Sequence, residues 1–145
     1  VLDFWRSNSR NDGGRVWLTQ RLNFEVSEYS SLNLKADVKV ISHTLRGSGW
    51  WSDVHGDEGE YPVHIYVNYK DKNNEKHVWS WGFLTGRNPD KKTNFEIVNK
   101  SEWYSFISPN LMELVPQPKI ITSLTVGGDG WNYHGRIDNI EIITK

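Results

Sequence analysis

A repeating alternation of apolar and polar residues is the feature that most constrains the fold of this chain. Between Val16 and Val26, apolar side chains occupy every second position except at Gln20. A period of two residues is typical of a β-strand that buries one face, since successive side chains point to opposite sides of a sheet. We therefore expect a half-buried strand whose inner face carries Val16 and Leu18. The same period recurs in residues 32–40 and 61–69. The inner faces of these two strands are expected to share one core, formed by Leu34, Ala36, Val38, Val63, Ile65 and Val67.

Shorter segments show the same preference for strands. Strands are predicted at His77–Phe83, Phe95–Val98, Trp103–Ile107, Lys119–Val126 and Tyr133–Ile143. The polar run Lys70–Asn74 is typical of a hairpin turn, and the slip in alternation at Asp138-Asn139 is typical of a β-bulge. One helical turn is predicted between Pro109 and Val115. About eight short strands without a crossover helix predict an all-β fold, an antiparallel two-sheet β-sandwich of the jelly-roll type with strands antiparallel throughout. We expect one β-sandwich domain over residues 1–145.

Charge and composition exclude several classes of function. The chain has 17 basic and 18 acidic residues, a formal net charge of −1, so it lacks the basic footprint of a duplex-DNA-binding protein. Nucleic acid is therefore not an expected partner. Apolar runs fall short of the roughly 20 residues of a membrane span, so a membrane is not an expected partner either. The chain has no cysteine and no nucleophile elbow, so we expect that it is not an enzyme. Because it opens without a signal-peptide pattern, we expect either an intracellular protein or a part of a longer secreted one.

Tryptophan is in surplus, with eight residues in 145. An indole offers a flat face that stacks on sugar rings, so a surplus beyond the needs of a modest core indicates a recognition surface. Trp79 and Trp81 share one strand face, where they form either a sugar-binding platform or a core layer, with core favoured for at least one. Trp5, Trp17 and Trp103 are interpreted as packing residues whose exposure the sequence leaves open.

Residues 46–60 form the longest segment with no strand pattern, and they carry one half of the candidate binding site. Trp50 and Trp51 stand there close to Asp53 and Glu58. A pyranose site needs a flat aromatic for stacking and bidentate acceptors for hydroxyl groups, and this segment supplies both. Arg87, which follows Thr85-Gly86, is a further candidate ligand contact because guanidinium donates two parallel hydrogen bonds.

Residues 127–134 carry the other half of the candidate site. Their glycines are expected to make a tight hairpin tip that presents Asp129, Trp131 and Tyr133. Trp50, Trp51 and Trp131 are therefore predicted to line one ligand surface at an end of the sandwich. The alternative is that these tryptophans fold back over the core, which is the commoner state of the residue.

A resemblance to a known family rests on three segments. They are Val16-Trp17-Leu18-Thr19-Gln20, Leu32-Asn33-Leu34-Lys35-Ala36-Asp37-Val38 and the closing Arg136-Ile137-Asp138-Asn139-Ile140-Glu141-Ile142. They resemble the galactose-binding-like jelly rolls, to which many non-catalytic carbohydrate-binding modules belong. Such modules often close with a strand in which Asp-Asn or Asp-Asp precedes Ile or Val. The resemblance implies a ligand-binding part of a larger multidomain extracellular protein. It also implies a structural calcium ion (Ca2+) near the chain ends, with Asp138 as the matching ligand and Asp3 and Asp12 as amino-terminal candidates.

We interpret the chain as a non-catalytic carbohydrate-binding module that binds a polysaccharide or other glycan through exposed tryptophans. Two alternatives remain open at the level of sequence. One is a protein-interaction or structural β-sandwich module of an extracellular assembly, whose tryptophans would be interface hot spots. The other is a small glycan-active enzyme, because 18 acidic residues always allow a catalytic pair.

Overall fold

The computed structural model describes residues 1–7, 13–44, 50–52, 56–86 and 94–145, and at residues 50–52 and 56–58 it describes the backbone alone. The strands are β1 (Leu2–Arg6), β2 (Gly14–Glu25), β3 (Leu32–His43), β4 (Trp50–Ser52), β5 (Gly56–Glu60), β6 (Val63–Lys70), β7 (Lys76–Leu84), β8 (Phe95–Ile97), β9 (Tyr104–Ile107), β10 (Ile120–Gly130) and β11 (Tyr133–Thr144). Within these segments the sole helical element is one 3-10 turn at Leu111–Glu113, inside the predicted range. None of the described segments forms a helix long and apolar enough to cross a bilayer.

Two sheets pack face to face as an all-β sandwich, which confirms the predicted fold class. The four-stranded sheet has the order β1-β11-β3-β9, and the five-stranded sheet has the order β2-β10-β6-β7-β8. The backbone of β4 and β5 forms a further antiparallel pair, with Trp50 opposite Glu60. The segment expected to be irregular therefore contains a strand pair.

Strand β8 departs from the predicted antiparallel pairing, because it runs parallel to β7. Gly82 pairs with Phe95 and Leu84 pairs with Ile97. Parallel neighbours need a long connection that returns the chain to its starting end, and these partners lie far enough apart in sequence to allow it. The expectation of antiparallel pairing throughout is wrong at this edge of the sheet.

The core lies between the two sheets and contains the residues predicted for it. Leu34, Ala36, Val38, Val63, Ile65 and Val67 are all buried. Phe83 and Phe106 meet edge to face there, with ring centres 5.0 Å apart. Trp79 is buried and half-buried Trp81 packs on Phe106, so the tryptophan pair of β7 belongs to the core layer. Full burial of a Val, Leu, Ile or Phe side chain contributes about 1.5–3 kcal/mol to stability, because its apolar area is removed from water.

At the start of strand β2 the predicted inner face is on the core side but is left exposed. Val16 and Leu18 are exposed, whereas Trp17 is half-buried. Strand β2 is the edge of the five-stranded sheet, so its inner side is not fully covered. Trp17 lies beside Gly127, which has no side chain, and its ring packs on Tyr66 with centres 4.8 Å apart. Leu18 shares a face with Val126 and Ile65 of the core, so the predicted sides of β2 are kept and only the burial at its start differs.

The predicted irregularities of β6–β7 and β11 are confirmed. Residues 71–75 close the hairpin between β6 and β7, which pair in register from Lys70 with Lys76. In β11 the register against β3 shifts between Asp138 and Glu141, where Asn139 has a φ of 49°. A bulge of this kind inserts an extra residue and bends the strand.

Candidate functional site

One end of the sandwich is formed where the chain passes from one sheet to the other. Strand β10 ends at Gly130 in the five-stranded sheet, and β11 begins at Tyr133 in the four-stranded sheet. Arg6, at the end of β1, donates from Nη1 to the carbonyl oxygen of Trp131 at 2.8 Å and to that of Gly130 at 3.3 Å. The Arg6 side chain thus braces the connection, and the Trp131 side chain is exposed.

The glycines of residues 127–130 lie within β10 and do not make the turn that was predicted for them. A Cβ atom added at Gly128 would lie 2.5 Å from the Tyr133 ring and 2.5 Å from the carbonyl oxygen of Pro62. Both distances are below van der Waals contact, so the position requires glycine. The turn itself consists of Trp131 and Asn132.

Asp129 lies in a buried polar cluster and not at the surface. Its Oδ2 accepts from the Tyr66 hydroxyl at 2.7 Å, and its Oδ1 lies 3.1 Å from His64 Nδ1 and accepts from the backbone N–H of Tyr61. The His64 and Asp129 side chains are fully buried. Because a carboxylate only accepts, His64 Nδ1 is the donor of this contact, and Nε2 has no hydrogen-bond partner among the described residues. Asp129 is thus placed to support the end of the sandwich from within.

Tyr133 is also buried, on the inner side of β11. Burial raises the pKa of its hydroxyl well above the usual value, and the nearby Asp129 carboxylate raises that pKa further. The hydroxyl therefore stays protonated well into the alkaline range. Of the three residues predicted to be presented by this segment, only Trp131 faces solvent.

Glu60 brings β5 to the same end of the molecule. Its buried Oε1 would lie 3.2 Å from a Cβ atom added at Gly13, and Cδ1 of Trp131 would lie 3.9 Å from that atom. The backbone of Trp50 pairs with Glu60. The side chains of Trp50, Trp51 and Glu58 lie outside the described part of the chain, as do Asp53 and Arg87 altogether, so the shared surface of Trp50, Trp51 and Trp131 stays a prediction.

An open groove of about 510 Å³ lies beside this end, on the outer face of the four-stranded sheet. Its lining includes Asp3, Trp5, Ser42, Asn132 and His134. Trp5 is 64% exposed, which corrects its interpretation as a packing residue. The indole meets the His134 ring edge to face, with ring centres 6.2 Å apart. A flat apolar face is therefore presented to solvent next to several polar groups.

The polar rim of the groove is held by charge-assisted hydrogen bonds. Asp3 Oδ1 lies 2.6 Å from His134 Nε2, and its Oδ2 accepts from Arg136 Nη2 at 3.1 Å. The Arg136 hydrogen bond, followed by that of His134, lowers the pKa of Asp3 below its usual value. The rim thus offers an ionised carboxylate, a guanidinium and an imidazole in fixed positions.

A local sequence signal for Trp5 existed. In Leu2-Asp3-Phe4-Trp5, Phe4 is buried and Leu2 is half-buried, so the period of two assigns Trp5 to the polar face with Asp3. The same period in residues 133–138 places His134 and Arg136 on the outer face. Pairing of β1 with β11, which sets Trp5 opposite His134, is what joins the two segments.

The expected calcium ligand, Asp138, has neighbours of a different kind. Its Oδ1 accepts from the backbone N–H of Asn139 at 3.0 Å and lies 3.4 Å from the nitrogen of Val1, while Asp3 is engaged by Arg136 and His134. Calcium requires six to eight oxygen ligands. Asp138 is in no cluster of metal-binding side chains among the described residues.

The side chains that could hold a metal ion in the described segments lie at the β6–β7 hairpin. Asp71, Glu75 and His77 bring one ligand atom each within 4.8 Å of one another. Asp71 Oδ1 also accepts from the backbone N–H groups of Asn73 and Glu75, and its Oδ2 lies 3.0 Å from His77 Nε2. These bonds shape the turn by themselves. The imidazole nitrogen is a ligand more typical of zinc than of calcium.

Comparison with known proteins gives a weak likeness at the level of structure. No protein-family model matches the chain, and no curated protein matches it. Among solved structures, the chain is similar to that of an exo-beta-agarase, with 13% sequence identity and a TM-score of 0.41. The match covers 99% of this chain and 20% of the other, so this chain spans about a fifth of the length of that protein.

Proposed function

We propose that this β-sandwich binds a glycan without catalysing its conversion, and that the groove beside Trp5 is a contact site. The exposed indole of Trp5 at the edge of a groove with a fixed polar rim is the observation that carries the proposal. A pyranose has an apolar face that stacks on an aromatic ring and a rim of hydroxyl groups that need oriented donors and acceptors. The groove offers both.

Preorganisation of the rim supports binding in particular. Asp3 is held by two partners at hydrogen-bond distance, and Arg6 fixes the backbone next to Asn132. Side chains already ordered in the free protein lose little entropy when a ligand arrives, so more of the contact energy remains as affinity.

The charge state of Asp3 supports a non-catalytic role. Asp3 is the sole carboxylate among the described residues that line the groove. Hydrolysis by a carboxylate pair needs one member that is protonated at neutral pH. The lowered pKa of Asp3 makes it a poor proton donor. On this proposal the domain acts as the glycan-binding part of a longer, extracellular protein.

Affinity electrophoresis and titration calorimetry with a panel of polysaccharides test the proposal. The panel contains agarose, xylan, alginate, polygalacturonate and carrageenan. We expect at least one to bind and Trp5→Ala to weaken that binding by about 1–3 kcal/mol, as for bases stacked on aromatic side chains. The melting temperature of Trp5→Ala should stay unchanged, because an exposed ring leaves no cavity.

The matched control is Val115→Ala, which removes an exposed apolar side chain outside the groove. It should bind like the wild-type protein. If no polysaccharide binds, the proposal is overturned and the interaction-module alternative is favoured. If a polysaccharide binds and Trp5→Ala binds it equally well, the groove is not the site.

A further inference from the structure

The outer face of the four-stranded sheet carries two adjacent rows of polar and aromatic side chains. Partners in a β-ladder share a face, so Trp5, His134 and Ser42 form one row across β1, β11 and β3. Asp3, Arg136 and Lys39 form the next row across the same strands. Trp103 continues that second row at the β9 edge, since its neighbour Tyr104 pairs with Val38.

Trp103 is part of this face and not of the core. It is 46% exposed, and Lys39 Nζ lies 5.6 Å from the centre of its ring. The cation over the ring holds both groups at the surface. The interpretation of Trp103 as a packing residue is thereby corrected.

The two exposed tryptophans stand at opposite edges of the sheet. Three strand spacings and a shift of one pleat separate Trp5 from Trp103, a distance of about 16 Å. One sugar residue cannot reach from one indole to the other, whereas an extended oligosaccharide can. We call the surface formed by Trp5, His134, Arg136, Lys39 and Trp103 the cross-strand strip.

Positive charge is in excess along the cross-strand strip although the whole chain is nearly neutral. Asp3 is the carboxylate that lies in the same row as Arg136 and Lys39. Its two oxygens are paired with Arg136 and His134. Lys39 has no salt bridge to an acidic side chain among the described residues, and its Nζ lies over the Trp103 ring. The next row carries the paired residues Asp37 and Asp138, so the excess does not extend in that direction.

We propose that the cross-strand strip binds a linear anionic glycan, one whose sugars carry carboxylate or sulfate groups, lying across the strands. This inference rests on the proposed glycan-binding function and names its ligand class. Sugar rings stack on Trp5 and Trp103, and the anionic groups accept charge-assisted hydrogen bonds from Lys39 and Arg136. Because no described residue covers Trp5 or Trp103 at the two ends of the strip, it takes the interior of a chain and not its terminus.

Calorimetric titrations of polygalacturonate, alginate, carrageenan and neutral agarose test this proposal on the whole protein. We expect the acidic polymers to bind more tightly than agarose. Lys39→Ala and Trp103→Ala should each weaken binding of the acidic polymers about tenfold, with unchanged melting temperature. Lys72→Ala, which removes an exposed lysine on the β6–β7 hairpin, is the charge-matched control and should bind normally.

Salt and chain length provide independent readouts. Near 1 M NaCl the Debye length is about 3 Å, so charges on the strip are screened. The affinity of the wild-type protein should then fall close to that of Lys39→Ala measured in the same salt. Disaccharides of galacturonate should not distinguish Trp103→Ala from wild type, whereas hexasaccharides should. Binding of polygalacturonate alone, or of carrageenan alone, would identify carboxylate or sulfate as the recognised group, and either result supports the proposal.

The two proposals fail in different ways. If agarose and the acidic polymers bind equally and the Lys39 and Trp103 variants are normal while Trp5→Ala is impaired, the strip is refuted and glycan binding at the groove stands. If no polymer binds, both proposals are refuted.

Discussion

The aromatic ring of Tyr61 lies directly over Gly82, where a Cβ atom would fall 2.1 Å from the ring carbon Cγ. Gly82 pairs with His64 in the five-stranded sheet, so the Tyr61 ring covers the face that carries His64 and Tyr66. The ring also meets the His64 imidazole edge to face at 4.9 Å. The absence of a side chain at Gly82 is what lets Tyr61 close over the buried Asp129 cluster.

Gly82→Ala is therefore expected to destabilise the protein. The added methyl group cannot fit beneath the Tyr61 ring, and overpacking of this kind costs about 1–3 kcal/mol. Urea unfolding measures the loss. In the double variant Tyr61→Ala/Gly82→Ala the clash is absent, so the two effects should not add. Additive effects would contradict the packing relationship.

Asp129→Ala should cost more than Asp129→Asn. Alanine removes the acceptor of the Tyr66 hydroxyl and of the Tyr61 backbone N–H, at about 1–3 kcal/mol for each group left unpaired, whereas the asparagine carbonyl can still accept one bond. Chemical denaturation of both variants gives the two losses. Tyr66→Phe, which removes one donor and leaves the carboxylate, is the companion variant and should cost less than Asp129→Ala. Equal stability of all three would show that the cluster does not support the fold.

The hairpin carboxylate Asp71 should make stability depend on acid. Burial raises the pKa of Asp71, but hydrogen bonds from His77 and from the backbone N–H groups of Glu75 and Asn73 outweigh burial and hold it below its usual value. A lowered folded-state pKa contributes stability above the unfolded pKa of about 3.9, and this is lost as pH falls through the folded value.

Thermal melts between neutral pH and about pH 2 test this dependence, in the window around the unfolded pKa of Asp. Asp71→Asn should melt below wild type at neutral pH, and the difference should shrink as pH falls below about 4. Glu28→Gln, at an exposed acid in the turn after β2, is the control and should follow wild type. A difference that stays constant down to the lowest pH would refute the role of the Asp71 charge.

Trp131 and Trp79 should respond to alanine in opposite ways. Trp131 is 42% exposed at the end of the sandwich, so Trp131→Ala should weaken glycan binding by about 1–3 kcal/mol and leave the melting temperature unchanged. Trp79 is buried, and Trp79→Ala should destabilise the fold by about 3–5 kcal/mol through the cavity it leaves. Affinity and unfolding measured on both variants separate the two roles. Normal glycan binding by Trp131→Ala would remove this residue from the predicted loop surface.

Much of the fold was accessible from local sequence because the period of two reports which side chains share a face. The buried sides of β3 and β6, with Leu34 and Ile65 among their members, follow from alternation alone. So do the β6–β7 hairpin and the bulge at Asp138-Asn139, since turn residues and a slipped period are local signals.

The candidate site was less accessible, because alternation does not say whether another element covers a face. Asp129 and Trp131 stand two residues apart, yet Asp129 is enclosed by Tyr61, Tyr66 and His64 while Trp131 is exposed. Trp5 is exposed for the opposite reason, since nothing in the described chain packs over the outer face of β1 there.

Local sequence accounts for the strand faces and the all-β class, because these depend on residues next to each other in the chain. Tertiary structure alone decided the edge position of β2, the parallel return of β8 and the pairing of β1 with β11 that sets Trp5 beside His134. Burial and proximity are set by which strands become neighbours. That choice depends on contacts between residues such as Asp3 and Arg136, which lie far apart in sequence and meet only after the sheets have formed.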